Sequence, residues 1–164
     1  MVLDLKPIFL NDNKSLSLNC EFDFSGVDLN DGFPLKKPAK VSGSVYNRAG
    51  VVNLSVVCVV EYDAMCDRCG KECTQNYEVP IERVLATEVF NEDNDEIIVV
   101  EDYKLDLFEL CRCEVILSLP MKHLCKKDCK GVCQNCGKNL NDGPCNCATQ
   151  KVDPRLKKLG ELLK

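Results

Sequence analysis

The chain has 164 residues and a net charge of −5, a length that suits about one domain with a substantial hydrophobic core. It contains no apolar run of about eighteen residues, so no membrane-spanning helix is expected. Its first residues, MVLDLKPIFL, place Asp and Lys inside the apolar stretch and lack the sections of a signal peptide. The sequence therefore predicts a cytoplasmic protein without a membrane partner.

Two apolar runs occupy residues 1–24, around Leu3–Leu10 and Leu16–Phe24, and the turn-forming NDNK separates them. Both runs are predicted as strands. Residues 25–40 are rich in Gly, Pro, Asp and Lys, which indicates a loop.

The clearest strand is Val51 to Tyr62, in which apolar side chains alternate with more polar ones. A shorter strand, Val41–Tyr46, precedes it across the turn NRAG. A third strand follows in TQNYEVPIERVLATEVF, where Pro80 indicates an edge or a bulge. After the acidic loop NEDNDE, IIVVEDY is a further short strand. This order predicts an antiparallel β-meander or partly open barrel, with CDRCGK between its two longest strands.

A helix is predicted to begin at Asp106, with Glu109 completing a capping box, and to end before Pro120. Two apolar stripes indicate that this helix is largely buried; one contains Phe108, Cys111 and Val115, and the other Leu110, Cys113 and Leu117. The closing sequence DPRLKKLGELLK predicts a short terminal helix.

Thirteen cysteines are the most unusual feature of the composition. In a reducing compartment they are more typical of metal ligands than of disulfides, and the odd count would leave one cysteine unpaired. The frame Cys-x-x-Cys-Gly-Lys occurs twice, as CDRCGK at Cys66 and as CQNCGK at Cys133. Each frame supplies two thiolates from one tight turn, and its Gly permits a positive φ. Two structural Zn²⁺ sites are therefore predicted.

Eight cysteines remain as ligands once the others are assigned. Cys20, Cys58, Cys111 and Cys113 are interpreted as buried thiols, and Cys73 as a spare thiol. In the favoured partition, one site contains Cys66, Cys69, Cys125 and Cys129, with the last two on one face of a helical turn. The second site then contains Cys133, Cys136, Cys145 and Cys147, which closes a short and entropically cheap loop. Alternatively, the two knuckles face each other around one ion, and the other four cysteines form the second site.

Several features argue against an enzyme. A four-thiolate zinc sphere has no open position for water. The sequence contains neither a P-loop nor a dinucleotide fingerprint, and the first Cys-x-x-Cys lies between strands rather than at the start of a helix. The single histidine, His123, is a conceivable ligand in competition with Cys125, although a position at the surface or beside a site is favoured. No catalytic residues and no small-molecule substrate are predicted.

The charge is distributed unevenly along the chain. Residues 122–164 contain ten Lys/Arg and four Asp/Glu, a balance of +6, whereas residues 1–121 contain eleven and twenty-two, a balance of −11. A basic tail on an acidic body indicates an anionic partner such as nucleic acid, although a solvated lysine-rich surface is an equally good interpretation. The candidate phosphate-binding residues are Lys122, Lys126, Lys127, Lys130, Lys138, Lys151, Arg155, Lys157 and Lys158.

Together these features predict an α+β fold in one structural unit. Residues 1–121 form a sheet body with the buried helix, and residues 122–164 form a cysteine-rich zinc-binding tail packed on that body. The first site anchors the tail to the sheet.

Four features of the sequence occur together: the meander with CDRCGK, the segment LSLPMKHLC, the run CKKDCKGVCQNCGKNLNDGPCNC and the terminal DPRLKKL. With them, the chain closely resembles the YceD family, in a variant with a cysteine-rich C-terminal knuckle. The resemblance covers about residues 41–163. Members of this bacterial and plastid family are described as large ribosomal RNA subunit accumulation proteins. The resemblance implies a non-enzymatic role in ribosome biogenesis.

Two further functions are compatible with the sequence. A protein-interaction adaptor would hold a ribosomal protein or an assembly factor without contacting RNA. A redox sensor would release zinc on oxidation of its thiols.

Overall fold

The structure, a computed structural model, describes residues 1–29, 32–88 and 97–147. The acidic loop at 91–96 and the predicted terminal helix lie outside these residues. Four of the predicted phosphate-binding residues also lie outside them, namely Lys151, Arg155, Lys157 and Lys158.

The described chain forms one large sheet, one two-stranded sheet and two α-helices. The large sheet has the order β2–β3–β4–β5–β6; its strands are β2 (Ser15–Phe22), β3 (Ala39–Arg48), β4 (Val51–Met65), β5 (Glu72–Ala86) and β6 (Ile97–Val99). Strands β1 (Val2–Asp4) and β7 (Lys104–Asp106) form the antiparallel pair. The helices are α1 (Lys6–Phe9) and α2 (Leu107–Ser118), and 3₁₀ turns lie at Glu101–Tyr103 and Leu140–Asp142. The α+β class is confirmed, and the sheet is not a closed barrel.

The first predicted strand is wrong over its second half. Only Val2–Asp4 is extended, and Lys6–Phe9 forms α1. Pro7 lies in the first turn of this helix, where its fixed φ is favourable and its missing N–H costs nothing. The apolar run alone did not distinguish a short helix from a strand.

The predicted antiparallel meander is confirmed for β2 to β5, whereas the short strand β6 pairs in the parallel direction. Strands β2 to β5 pair antiparallel in sequence order, but β6 lies parallel to β5, with Val84 opposite Ile97. Strand β6 pairs only with the last residues of β5, from Val84 to Ala86. Among the described residues, Pro80 therefore has β4 on one side and no strand on the other. This edge position is the one that Pro80 predicted.

The core lies between one face of the large sheet and α2. The predicted inward residues of β4 are all buried, from Val52 to Tyr62 at alternate positions. From α2, Leu107, Cys111 and Val115 complete this core. The second predicted stripe is not buried as a whole, because Cys113 is exposed and Leu117 is 81% exposed.

Helix α2 begins as predicted at Asp106, whose carboxylate accepts the N–H groups of Phe108 and Glu109. The Glu109 carboxylate pairs instead with Arg112, one turn later on the same helix. The predicted cap is thus present, while the acidic side chain of the capping box makes a different contact.

Strands β4 and β5 extend well beyond the rest of the sheet. Their pairing continues to Met65 opposite Glu72, whereas β3 pairs with β4 only as far as Val59. The projecting end of this hairpin carries the turn CDRCGK and so presents the first pair of cysteines away from the core.

Candidate metal centres

The first knuckle is a tight turn at the tip of the β4–β5 hairpin. The N–H of Cys66 donates to the carbonyl of Lys71 at 2.8 Å, and the N–H of Gly70 donates to the carbonyl of Cys66 at 2.8 Å. Gly70 has a φ of +67°, which side-chain-bearing residues rarely adopt. The Gly of the frame is therefore required for the turn, as predicted.

The second knuckle repeats the same hydrogen bonds. Cys133 donates to the carbonyl of Lys138 and Gly137 donates to the carbonyl of Cys133, both at 2.8 Å, and Gly137 has a φ of +71°. An isolated antiparallel bridge joins Val132 to Asn139 beside it. The repeated sequence thus folds into a repeated structure.

Residues 121–130 are held against the first knuckle by contacts that involve few apolar groups. Asp67 and His123 exchange two bonds, from Asp67 N–H to the His123 carbonyl at 2.9 Å and from His123 N–H to the Asp67 carboxylate at 2.6 Å. The Arg68 guanidinium donates to the Cys129 carbonyl at 3.0 Å, and the Gln75 amide donates to the Leu124 carbonyl. These contacts bring the segment to the hairpin tip.

The local structure around Cys125 and Cys129 differs from the helical turn that their spacing predicted. The chain forms a tighter turn there, in which the N–H of Cys129 donates to the carbonyl of Lys126 at 3.1 Å. This turn still directs both sulfur atoms towards the first knuckle, so the correction changes the backbone and not the grouping.

The first tetrad consists of Cys66, Cys69, Cys125 and Cys129, whose sulfur atoms all lie within 4.8 Å of one another. The Sγ atoms of Cys66 and Cys129 are 3.8 Å apart, and those of Cys69 and Cys125 are 3.7 Å apart. A tetrahedron with Zn–S bonds of about 2.3 Å has sulfur–sulfur edges of about 3.8 Å. The four thiols therefore fit a tetrahedral ion of this size.

The second tetrad consists of Cys133, Cys136, Cys145 and Cys147, again with all sulfur atoms within 4.8 Å. The Sγ atoms of Cys133 and Cys145 are 3.4 Å apart. This tetrad is more exposed than the first, in which Cys66 and Cys129 retain 2% and 3% exposure. The two sets are those of the favoured partition, and the arrangement with facing knuckles is wrong.

One thiol in each knuckle loses its proton unusually easily. Burial raises the pKa of Cys66, but the N–H groups of Cys125, Arg68 and Cys69 outweigh this effect and lower the pKa to about 6. The N–H groups of Cys136 and Asn135, with the Cys145 thiol, lower the pKa of Cys133 to about 6. The turn thus prepares its first cysteine as a thiolate.

Each tetrad also contains a thiol that retains its proton. Burial, and then the bonds to Cys129, Cys69 and Cys66, raise the pKa of Cys125 to about 12. The bond to Cys136, followed by burial, raises the pKa of Cys147 to about 12. Four adjacent sulfur atoms cannot all be ionised without a cation, so a divalent ion is the natural complement of each set.

His123 and Cys73 lie together, outside both tetrads. His123 is only 4% exposed, so of the two predicted positions, at the surface or beside a site, the structure shows the second. Its Nε2 is 3.1 Å from Cys73 Sγ, its Nδ1 is 3.3 Å from the Tyr77 hydroxyl, and its ring centre is 4.8 Å from that of Tyr62. His123 thus fixes the segment that leads to Cys125 and does not replace that cysteine.

The remaining cysteines have different environments, and all thirteen are free thiols. Cys58 and Cys111 are buried, as predicted, and burial raises the pKa of these thiols to about 11 and about 12, respectively. Cys20 is partly buried, whereas Cys113 is exposed and the prediction of its burial is wrong.

The predicted phosphate-binding lysines separate into two groups. All five that the structure describes are exposed and form no ion pair within the described residues, and four of them also make no side-chain hydrogen bond there, namely Lys122, Lys126, Lys127 and Lys130. Lys138 instead donates to the carbonyl of Pro144 at 2.9 Å and closes the loop of the second tetrad. The four exposed lysines lie in or beside the segment that the first tetrad holds.

Sequence reasoning missed the residues that join the cysteines to their surroundings. Asp67, Arg68 and Gln75 bind the backbone of residues 121–130, and Asn141 donates to Cys129 Sγ at 3.3 Å. Polar residues in turns and on strand surfaces are too common to have marked these contacts in advance.

Among the described residues, no helix is long and apolar enough to cross a membrane. Two curated relatives are each 37% identical to this chain over 71 residues, which is 43% of this chain and 34% of theirs. They are the uncharacterized proteins Mb2951c of Mycobacterium bovis (strain ATCC BAA-935 / AF2122/97) and Rv2926c of Mycobacterium tuberculosis (strain ATCC 25618 / H37Rv). The chain thus aligns with about a third of the length of the curated relatives it matches. No solved structure gives a significant match.

The sequence profile described as "Large ribosomal RNA subunit accumulation protein YceD" matches residues 52–163. This range includes β5, α2, all of β4 except Val51, and all eight cysteines of the two tetrads. The chain belongs to the YceD family.

Proposed function

We propose that this protein is a cytoplasmic, non-enzymatic zinc protein that promotes accumulation of large-subunit ribosomal RNA by binding RNA phosphates. The observation that carries the proposal is the exposed group Lys122, Lys126, Lys127 and Lys130, which has no ion-pair partner within the described residues. On the sheet body, two of the exposed lysines are instead paired, Lys36 with Asp63 and Lys37 with Glu61. Unpaired lysines keep their full attraction for phosphate.

Zinc is the metal that the two tetrads suit best. Four sulfur ligands select soft, tetrahedral ions, and zinc brings no redox chemistry. A closed sphere of four thiolates supplies folding energy rather than an activated water. We therefore expect elemental analysis of protein purified without added metal to find close to two Zn²⁺ per chain. A value of one or none contradicts the proposal, whereas iron acquired in a foreign host does not.

Direct RNA binding is tested by removing equal charge from two parts of the protein. The triple variant Lys126→Gln/Lys127→Gln/Lys130→Gln should weaken binding to large-subunit RNA fragments. A plot of the logarithm of the RNA association constant against the logarithm of the salt concentration should also become less steep, by about one unit of slope per lost phosphate contact. The matched control is Lys6→Gln/Lys14→Gln/Lys40→Gln, three exposed lysines of the body that also form no ion pair within the described residues. Equal losses in the two triple variants would indicate only a general charge effect.

A groove favours the adaptor function as a second candidate. It has a volume of about 800 Å³ and lies between the loop at 32–36, the end of β4 and residues 120–123. Three large apolar side chains around it are exposed, with Phe33 at 57%, Met65 at 62% and Met121 at 97%. A ribosomal protein or assembly factor bound here would co-purify after RNase treatment and at high salt. Co-purification that RNase abolishes would support the RNA-binding proposal instead.

A further inference from the structure

The loop of the second tetrad contacts the first tetrad through Asn141. The side-chain N–H of Asn141 donates to Cys129 Sγ over 3.3 Å. Asn141 belongs to neither tetrad and lies in the 3₁₀ turn Leu140–Asp142, between Cys136 and Cys145 along the chain. A donor to a metal-binding sulfur stabilises the thiolate, and groups of this kind strongly influence metal affinity.

The position of Asn141 depends on the folded second loop. Its Oδ1 accepts the N–H of Lys130 at 3.0 Å, and its Nδ2 also donates to Oδ1 of Asn139 at 2.8 Å. The backbone N–H of Asn141 donates to the same Asn139 oxygen at 2.9 Å. Asn139 in turn forms the bridge to Val132 that flanks the second knuckle. A disordered second loop would therefore no longer direct the amide at Cys129.

The chain between the two tetrads is also packed tightly against the first knuckle. Gly131 has a φ of +72°, and a Cβ atom there would lie 3.1 Å from the carbonyl oxygen of Arg68. The carbonyl of Gly131 accepts the N–H of Leu140 at 2.9 Å. The second loop is thus joined to the first knuckle through both backbone and side-chain contacts.

We infer that the two metal centres are thermodynamically coupled through Asn141. An ion in the second tetrad orders the loop that directs the Asn141 amide at Cys129, and this raises the affinity of the first tetrad for its own ion. The inference rests on the metal-binding part of the proposed function. Loss of such a donor typically lowers metal affinity by about 10- to 100-fold, and the coupling has the same size in both directions.

The test uses the full chain loaded with ¹¹³Cd²⁺, a soft tetrahedral substitute for zinc that gives a separate NMR resonance for each site. A chelator titration then follows the occupancy of the two sites independently. The variant Cys133→Ser/Cys136→Ser empties the second tetrad and identifies its resonance. We expect this variant to lower the affinity of the first tetrad by about 10- to 100-fold.

Variants of Asn141 separate the bond to sulfur from general support of the loop. Asn141→Ala should lower the affinity of the first tetrad by the same factor as the empty second site. Adding Cys133→Ser/Cys136→Ser to Asn141→Ala should then have little further effect, as in a double-mutant cycle of coupled groups. Asn141→Asp retains an acceptor for Lys130 but replaces the donor with a carboxylate, so its first-tetrad affinity should be no higher than that of Asn141→Ala. Asn146→Ala, at an exposed asparagine of the same loop, is the matched control.

Three outcomes overturn the coupling. These are wild-type affinity in Asn141→Ala, wild-type affinity in Asn141→Asp, and an undiminished effect of Cys133→Ser/Cys136→Ser in the Asn141→Ala background. If the wild-type chain binds two ions while any of these outcomes is observed, the proposed function survives and the inference fails. A wild-type chain that binds fewer than two Cd²⁺ ions overturns both.

Discussion

The two tetrads use the same turn and the same four thiols, but they close very different lengths of chain. Cys66 and Cys129, in the first tetrad, are 63 positions apart, whereas Cys133 and Cys145, in the second, are 12 apart. The first joins a hairpin of the sheet to a later segment, and the second closes a loop on itself. Identical ligand chemistry therefore serves two structural purposes: one tetrad sets the tertiary fold and the other sets a local shape.

The two tetrads differ more in the burial of their cysteines than in the entropy of closing their loops. The fivefold difference in loop length corresponds to only about 1.5 kcal/mol of closure entropy. The first tetrad, however, has two almost fully buried sulfur atoms, Cys66 and Cys129, and its surroundings include the paired Asp67 and His123. The second has an exposed ligand, Cys136, and little apolar support. Loss of the two metals should therefore have unequal consequences.

The largest effect is expected from Cys66→Ser. This change removes a buried ligand and releases residues 121–130 from the hairpin, which should cost about 5 kcal/mol or more, as for other lost metal sites. At about 2–4 °C per kcal/mol for a chain of this size, the Tm should fall by about 10–20 °C. The matched control, Cys113→Ser on the exposed side of α2, should melt like the wild type. A Cys66→Ser protein with an unchanged Tm would show that the first tetrad does not support the fold.

Acidification should release metal from both tetrads. Without metal, Cys66 and Cys133 have a folded pKa of about 6, below the ordinary value of 9.0. Their contribution to apo-protein stability is therefore complete above about pH 9 and is lost as the pH falls through about 6. Above pH 6 a metal ion displaces at most three protons per tetrad, and below pH 6 it must displace a fourth. A plot of log affinity against pH should steepen near pH 6 in a chelator competition, and a constant slope would contradict these pKa values.

Cys145→Ser should have a smaller effect on stability than Cys66→Ser. The sheet and the first tetrad stay folded, but loss of the coupling through Asn141 weakens the first metal by about 10- to 100-fold, or about 1.4–2.7 kcal/mol. The Tm should therefore fall by about 3–11 °C. Because this loop presents its surface close to the basic segment, accumulation of large-subunit RNA should fall as well. Melting curves and RNA levels measured together would contradict this prediction if the whole domain melted as in Cys66→Ser, or if RNA accumulation did not change.

The comparison also shows what the sequence could predict. The second tetrad followed from local spacing, because a short loop can bring only nearby sulfur atoms together, and the distant first tetrad then followed by elimination. The turn around Gly70 and Gly137 followed from the repeated frame and the need for a positive φ. The alternation along β4 identified the core face correctly.

The errors arise where distant parts of the chain determine the outcome. The parallel pairing of β6 depends on the path between strands, which apolar alternation does not encode. Leu117 is apolar but exposed. The helical apolar pattern identifies an apolar face of α2, but it does not tell whether another element covers that face. The bond from Asn141 to Cys129 joins two loops that meet only in three dimensions. Contacts of this kind leave no periodic pattern in the sequence from which they could be predicted.

The smallest expected effect tests whether the two tetrads are in rigid contact. Gly131→Ala places a side chain at positive φ, which costs about 1–2 kcal/mol, and brings its Cβ to 3.1 Å from the Arg68 carbonyl. Gly50→Ala is the matched control, since Gly50 also has a positive φ but has open space around its missing Cβ. In denaturant unfolding of the metal-loaded protein, we expect Gly131→Ala to lower the free energy of unfolding by about 0.5–1 kcal/mol more than Gly50→Ala does. This difference measures the contact between Gly131 and Arg68 of the first knuckle. Equal losses in the two variants would mean that residues 130–132 shift without resistance and that the contact of Gly131 with Arg68 does not hold the two tetrads rigidly together.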